Sequence, residues 1–456
     1  MNNLKVGYAK NNINPPLGIA VCGYYIDRFA KGFVDDLEVH AMVLTDGKTD
    51  IAMVGVDICY MVIGLVDRIR AQIEAQTGIK QENIYLNATH THTGPDMSYG
   101  GMSADCATNA LTVRYTEFLI TRIADAVKLA QADVKPARMG FCVGYAPERV
   151  AYIRRYKMKD GSTMTCPPIN DPNIDYPLGK LDQRVNVLRF DREGGCSVVL
   201  VNYGVHADTV NGELICSDFP GWMRKTLAAA LDGTACMFFP GAQGDVGSTH
   251  VNPAPGDMND TEISFDNEMK SPGMARFVGR ALAGTVLQVY DKVAYVDVED
   301  IGVYHKTMKI PANVPAPEDL PLAHKYKELH DAGRDCDIPY TAMELTTVVA
   351  EAIRMCNLEN GPEYFEMDLT GVRLGSVALV GIPGEPFTDI GVSVKEAAEG
   401  FDLIMPCALT NGSYGYFPMK SAYDEGGYEA RSSKFKAGVA EKIIAYAKEL
   451  LGDMKG

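Results

Sequence analysis

Apolar residues along this chain fall into two rhythms. Short, nearly unbroken apolar runs bounded by Gly, Pro, Asn or Asp occupy 40–44, 51–56, 84–91, 197–203, 237–239, 376–380 and 403–409. That is the pattern of short strands buried in a core. Longer stretches at 65–76, 113–131, 221–231, 274–290 and 434–451 read as helices; in the second of them Tyr115, Leu119, Ile123, Ala126 and Ala130 line one face. Strands interleaved with helices predict an α/β fold rather than separate all-β and all-α blocks. Two stretches look like additions to that core. Residues 157–182 carry four prolines with Gly161 and Gly179 and read as a long loop. Residues 311–363 open on PANVPAPEDLP and continue as polar, mostly helical sequence, an insertion in the C-terminal third. Candidate site residues lie on both sides of it, so a single working domain over 1–456 is expected.

Composition narrows the class. With 456 residues, 46% apolar and 22% charged, the chain has ample material for a buried core and no signature of disorder. The balance of 43 basic against 59 acidic residues gives a net charge of −16. No basic cluster stands out, which excludes nucleic acid as the expected partner, because phosphate neutralisation needs a basic stripe. The opening MNNLKVGYAKNNINPP has no apolar leader and no run is long enough to span a bilayer. A cytoplasmic location without a membrane partner is the expectation. Eleven cysteines without a CxxC pair read as reduced thiols in apolar surroundings, and not as a metal site.

The chemistry concentrates at strand ends. In IYLNATHTHTGPD (84–96) a β-prone run delivers His90 and His92 to a Gly-Pro stop. Side chains two apart on a strand share a face, and imidazole is a common ligand of zinc and similar cations. In SVVLVNYGVHAD an apolar run ends at Gly204 and presents His206, then Asp208. In RLGSVALVGIPGEPFTDIG a strand and a Pro-Gly turn lead to Glu385 at a helix entrance, where a carboxylate would supply the negative charge that two imidazoles need to hold a dication. A final strand runs into TNGSYGYFPMKSAYDEGGYE, whose four tyrosines sit among Gly, Ser, Asn and Asp, poor company for core residues. A phenol can ligate a metal, donate to an oxyanion or simply pack.

Taken in this order, the segments resemble the neutral/alkaline (non-lysosomal) ceramidase family, in its N-terminal catalytic domain. The resemblance rests on ATHTHTGP at 88–95, His206, GDV at 244–246, PGEPF at 383–387 and YGYFP…YDEGGYE at 414–429, and runs through most of the chain. It implies an α/β fold with a mixed sheet flanked by helices. It also implies one zinc ion held by His90, His206, Glu385 and Tyr416. His92 would face the carbonyl region of a substrate, and Tyr428 would be a polarising phenol. Arg154 in AYIRRY matches the arginine of the family's Asn-Arg motif, although Ile153 replaces the asparagine and Arg155 competes for the role. The implied reaction is zinc-assisted amide hydrolysis, with His92 and Tyr428 hydrogen-bonding the oxyanion and Arg154 holding a polar part of the substrate.

The chain also departs from that family. Ceramidases carry a serine within GDVSPN; here GDVGSTH puts Gly247 in its place and Ser248 one residue late. A continuation into an immunoglobulin-like domain and a secretion signal are both expected to be missing. These differences favour a zinc-dependent hydrolase that cleaves a linear amide of a small soluble substrate with water as the nucleophile. The alternatives are a metal-dependent esterase or lactonase and a non-catalytic metal-binding protein.

Overall fold

The computed structural model describes residues 3–98, 106–254, 256–257, 270–397 and 400–455, with the side chains of 106–109 excepted. A nine-stranded sheet runs in the order Ala235–Pro240, Val198–Tyr203, Arg184–Arg192, Lys135–Tyr145, Lys5–Asn12, Glu38–Thr45, Asp50–Val56, Ile84–Ala88, with Ala294–Val296 as a further partner of Lys135–Tyr145. The sheet is mixed. Each edge ends in a parallel pair and the interior pairs are antiparallel.

Alternation along the strands explains the layers. In Glu38–Thr45, Val39, Ala41 and Val43 pack toward the helices Ile63–Thr77 and Cys106–Ala132. Met42 and Leu44 point the other way, into a core shared with a second sheet. Helices Asp218–Ala230 and Pro272–Val289 cover the other half of the outer face. The second sheet, Ile301–Pro311, Tyr364–Leu374, Val377–Gly381 and Leu403–Cys407, is backed by the helices Thr388–Lys395 and Val439–Asp453. The result is four layers: helices, sheet, sheet, helices. Both sheets are buried on both faces along much of their length, which is why their central strands read as unbroken apolar runs.

One irregularity matters for the site. Lys5–Asn12 pairs with Lys135–Tyr145 only through Lys5 with Pro136 and Val6 with Lys135. The large sheet folds over at this narrow join, so its two outermost strands meet. Tyr85 stacks on Phe239 with centroids 5.8 Å apart. Ala408 ties both edges: its N–H donates to the Pro240 carbonyl at 2.8 Å and its own carbonyl accepts from Asn87 Nδ2 at 2.7 Å.

Several sequence expectations change. The strand expected over 84–91 stops at Ala88, because the chain turns to follow Ile58 and His90 adopts a left-handed φ of 73°. Residues 157–182 are not a structureless loop: Arg155–Met158 pairs with Thr163–Thr165 and with Ile174–Pro177, the first two joined through a turn at Gly161. The last helix starts at Val439, after Gly438 at φ 99°, and not at 434. Residues 311–363 form the helices Leu320–Asp331 and Ala342–Leu358, inserted at the turn of the antiparallel ladder from Ile301↔Leu374 to Pro311↔Tyr364. Ten described cysteines carry no disulfide. Among the described residues, no helix is long and apolar enough to cross a membrane.

Candidate metal centre

The folded-over sheet brings His90, which follows the edge strand Ile84–Ala88, against His206, which follows Val198–Tyr203. Their ring centroids are 4.8 Å apart. Glu385 arrives from the second sheet, on the loop after Val377–Gly381. Its Oε2 lies 3.3 Å from His90 Nε2 and 3.0 Å from His206 Nε2, all three groups buried. Neither contact has hydrogen-bond geometry, so Oε2 is a buried carboxylate oxygen without a hydrogen-bond partner. Glycine makes the approach feasible: a Cβ on Gly244 would stand 2.5 Å from the Glu385 carbonyl oxygen.

The tautomers follow from the opposite side of each ring. His90 Nδ1 is 2.8 Å from the Cys59 carbonyl, and His206 Nδ1 is 2.9 Å from the carbonyls of both Gln243 and Val246. A carbonyl can only accept, so each Nδ1 carries the proton and each Nε2 turns its lone pair inward. Two lone pairs and one carboxylate thus converge, with ligand atoms within 4.8 Å of one another. This donor set fits a dication such as zinc. Against burial, which raises it, the two imidazoles hold the Glu385 carboxyl well below its usual range. Burial and the Arg154 cation push His206 down to about 4, so its ring is neutral near pH 7. Burial opposes charge on His90 as well, but Glu385 draws it above its ordinary value.

A rival group, Cys59 with His90 and His92, is also close enough to enclose an ion. It is the poorer donor set. The Cys59 sulfur lies 3.7 Å from His90 Nδ1, the nitrogen already committed to a carbonyl. Its contact with Cys22, together with burial, keeps the thiol protonated.

Tyr416 stands directly across from Glu385 in a short parallel ladder, its ring stacked 6.4 Å from that of His206. Burial and the Glu385 carboxylate raise its hydroxyl well above the ordinary value. Tyr428 opens the short helix Tyr428–Ser432, edge-on to Tyr416 at 5.5 Å and to Tyr25 at 6.4 Å. Burial keeps this phenol protonated too. The two arginines separate cleanly. Arg154 faces the centre: Nη1 is 3.2 Å from His206 Nε2, Nε pairs with Glu429 at 2.7 Å and Nη2 donates to the Gly244 carbonyl at 2.8 Å. Arg155 turns toward the Glu425 carboxylate and the Gly426 carbonyl, both at 3.0 Å. Since Arg154 donates to the inward lone pair of His206, a cation held there requires that contact to open.

His92 lies beside the centre, with Nε2 3.3 Å from His90 Nε2. The two rings are perpendicular and do not share a strand face as alternation predicted, because the strand ends before either residue. Four neighbours were given no role from sequence. Asp208 accepts from Tyr24 and, at 2.9 Å, from Lys270; its Oδ1 is 3.6 Å from His92 Nδ1. Glu429, fully buried, anchors Arg154. Asp208 was visible in the HAD run after the strand, and Glu429 adjoins a tyrosine of interest. Tyr24 and Lys270 left no local signal. Gly247 sits beside Arg154, where an added Cβ would lie 3.6 Å from the Arg154 Cβ, an ordinary contact.

No family model matches the chain. Among solved structures, it is similar to neutral ceramidase from Pseudomonas aeruginosa, with a TM-score of 0.73 and 17% identity over 100% of this chain and 75% of that one. A ceramidase complexed with C2 aligns with a TM-score of 0.72 and 17% identity, over 100% of this chain and 76% of the other. Over its whole length, then, the chain has the fold of neutral ceramidase.

Proposed function

We propose that this protein is a metal-dependent hydrolase that cleaves a linear amide bond in a small soluble substrate, with one zinc ion held by His90, His206, Glu385 and Tyr416. The observation that carries the reading is the buried Glu385 oxygen, without a hydrogen bond, between two imidazoles whose Nδ1 atoms are each committed to backbone carbonyls. Such an ion supplies Lewis acidity to an acyl carbonyl and to water. Around it, the protonated Tyr428 phenol would donate to an oxygen that gains charge. Arg154, fixed by Glu429, offers guanidinium N–H groups to a polar substituent once its contact with His206 opens. His92, with Nε2 3.3 Å from His90 Nε2, would face the carbonyl region of the substrate. Water as nucleophile accommodates Gly247, which has no side chain to attack with.

The test is to measure metal content and then to assay matched N-acyl and O-acyl compounds before and after chelation. One zinc per chain is expected, with amide turnover lost on chelation and restored by zinc. Ester turnover without amide turnover would make the protein an esterase or lactonase. Zinc bound with neither activity would make it a binding protein.

A further inference from the structure

We infer that Asp208 fixes the tautomer of His92 so that His92 Nε2 accepts a hydrogen bond beside the metal centre, rather than donating one to an oxyanion. The inference rests on the metallohydrolase reading for its kinetic consequence and for the lone pair required of His90; the Asp208 geometry stands without it. His92 is buried and its Nδ1 has no hydrogen-bond partner. Asp208 Oδ1 lies on that side, 3.6 Å from Nδ1. That is beyond hydrogen-bond length, but an Nδ1 lone pair would be repelled there and an N–H attracted. Asp208 cannot turn away: Oδ1 accepts from Tyr24, and Oδ2 accepts from Lys270 at 2.9 Å. The ring lies close against Gly23, where an added Cβ would fall 2.8 Å from its Nδ1.

Lys270 already neutralises Asp208, so the geometry does not call for a second cation on His92. With the proton on Nδ1, Nε2 presents a lone pair alongside that of His90. Donation from His92 Nε2 to His90 Nε2, 3.3 Å away, would consume the lone pair that the metal centre needs. The complement of His92 is therefore an X–H group. Two sources have this chemistry: the N–H of a secondary amide, which an ester lacks, and water. Tyr428 is then the oxyanion donor among the pair expected from sequence, and Asp208 is a positioning residue.

The decisive readout is spectroscopic. In the zinc-loaded full chain labelled with 15N-histidine, long-range 1H–15N correlations assign each ring nitrogen, with His92 identified by the signal lost in His92→Gln. A protonated Nδ1 and unprotonated Nε2 are expected; Nε2–H, or an imidazolium, overturns the inference. Asp208→Asn is then expected to lower kcat about tenfold or more while zinc content and KM stay within about twofold. A larger fall on an N-acyl compound than on its O-acyl isostere identifies the amide N–H as the donor, and equal falls identify water. Unchanged kcat on both overturns the catalytic use. If Asp208→Asn does not fold, Tyr24→Phe removes one hydrogen bond to Asp208 and should give a smaller fall of the same kind. Wild-type protein that hydrolyses neither compound refutes the hydrolase reading, and the spectrum still decides the tautomer.

Discussion

At the residue scale, the centre is a set of side chains whose far sides are all accounted for. His90 and His206 lean on carbonyls, Arg154 on Glu429, and Asp208 on Tyr24 and Lys270. What faces inward is the Glu385 Oε2, which has no hydrogen bond, and the Nε2 atoms of His90 and His206, the latter in contact with Arg154. Glu385→Ala removes the only negative charge of the compact His90, His206 and Glu385 set, so bound zinc should fall from about one per chain to near zero, read by metal analysis. Undiminished zinc would exclude Glu385 as a ligand. Tyr428→Phe should behave differently, losing roughly 10²-fold in kcat with zinc retained, the usual cost of one oxyanion donor. His90, His206 and Glu385 were legible because each lies at the end of an apolar strand beside a turn signal. Tyr24 and Lys270 were not, because a lone polar residue in a loop acquires meaning only from what folds against it.

At the scale of elements, the same contrast holds. Strands buried on both faces, such as Asp50–Val56 and Val198–Tyr203, announce themselves as apolar runs. Ile301–Pro311 and Tyr364–Leu374 did not, since each alternates buried residues with exposed Lys, Asp or Glu. The histidine pair lies beside Glu385 and His206 through a left-handed turn after the strand, and not along the strand itself as the alternation predicted. Two predictions belong here. Gly244→Ala must push the Gln243–Val246 turn away from Glu385 and should cost about 1–3 kcal/mol of stability, with weaker zinc retention, measured by thermal melts and metal analysis. Glu38, at the start of Glu38–Thr45, is paired with Lys10 at 2.6 Å and His40 at 3.2 Å. Burial pushes its carboxyl up, but the His40 contacts, Arg224 and Lys10 outweigh this and hold it well below its ordinary value of 4.5. A depressed carboxyl stabilises the fold at pH above 4.5, and that contribution is lost as pH falls toward the folded-state value. The stability gap between wild type and Glu38→Gln, about 2 kcal/mol near pH 7, should therefore shrink on acidification below that point. A gap independent of pH would contradict the assignment.

At the scale of the whole molecule, the site exists because one sheet folds over on itself. The two histidines leave strands at or next to opposite edges of a nine-stranded sheet, and the carboxylate comes from another sheet altogether. No local pattern encodes that closure; the two-pair join at Lys5 and Val6 and the bridging Ala408 produce it. The alternation of strands and helices was enough to predict an α/β chain, whereas the second sheet and the face-to-face packing of the two sheets depend on contacts between distant segments. The most direct measurement is anomalous diffraction at the zinc absorption edge from crystals of the zinc-loaded chain. A single strong peak within ligand distance of His90 Nε2, His206 Nε2 and the Glu385 carboxylate is expected, with Arg154 displaced from His206. A peak on other side chains, or none where zinc is saturating, would contradict the proposed metal centre.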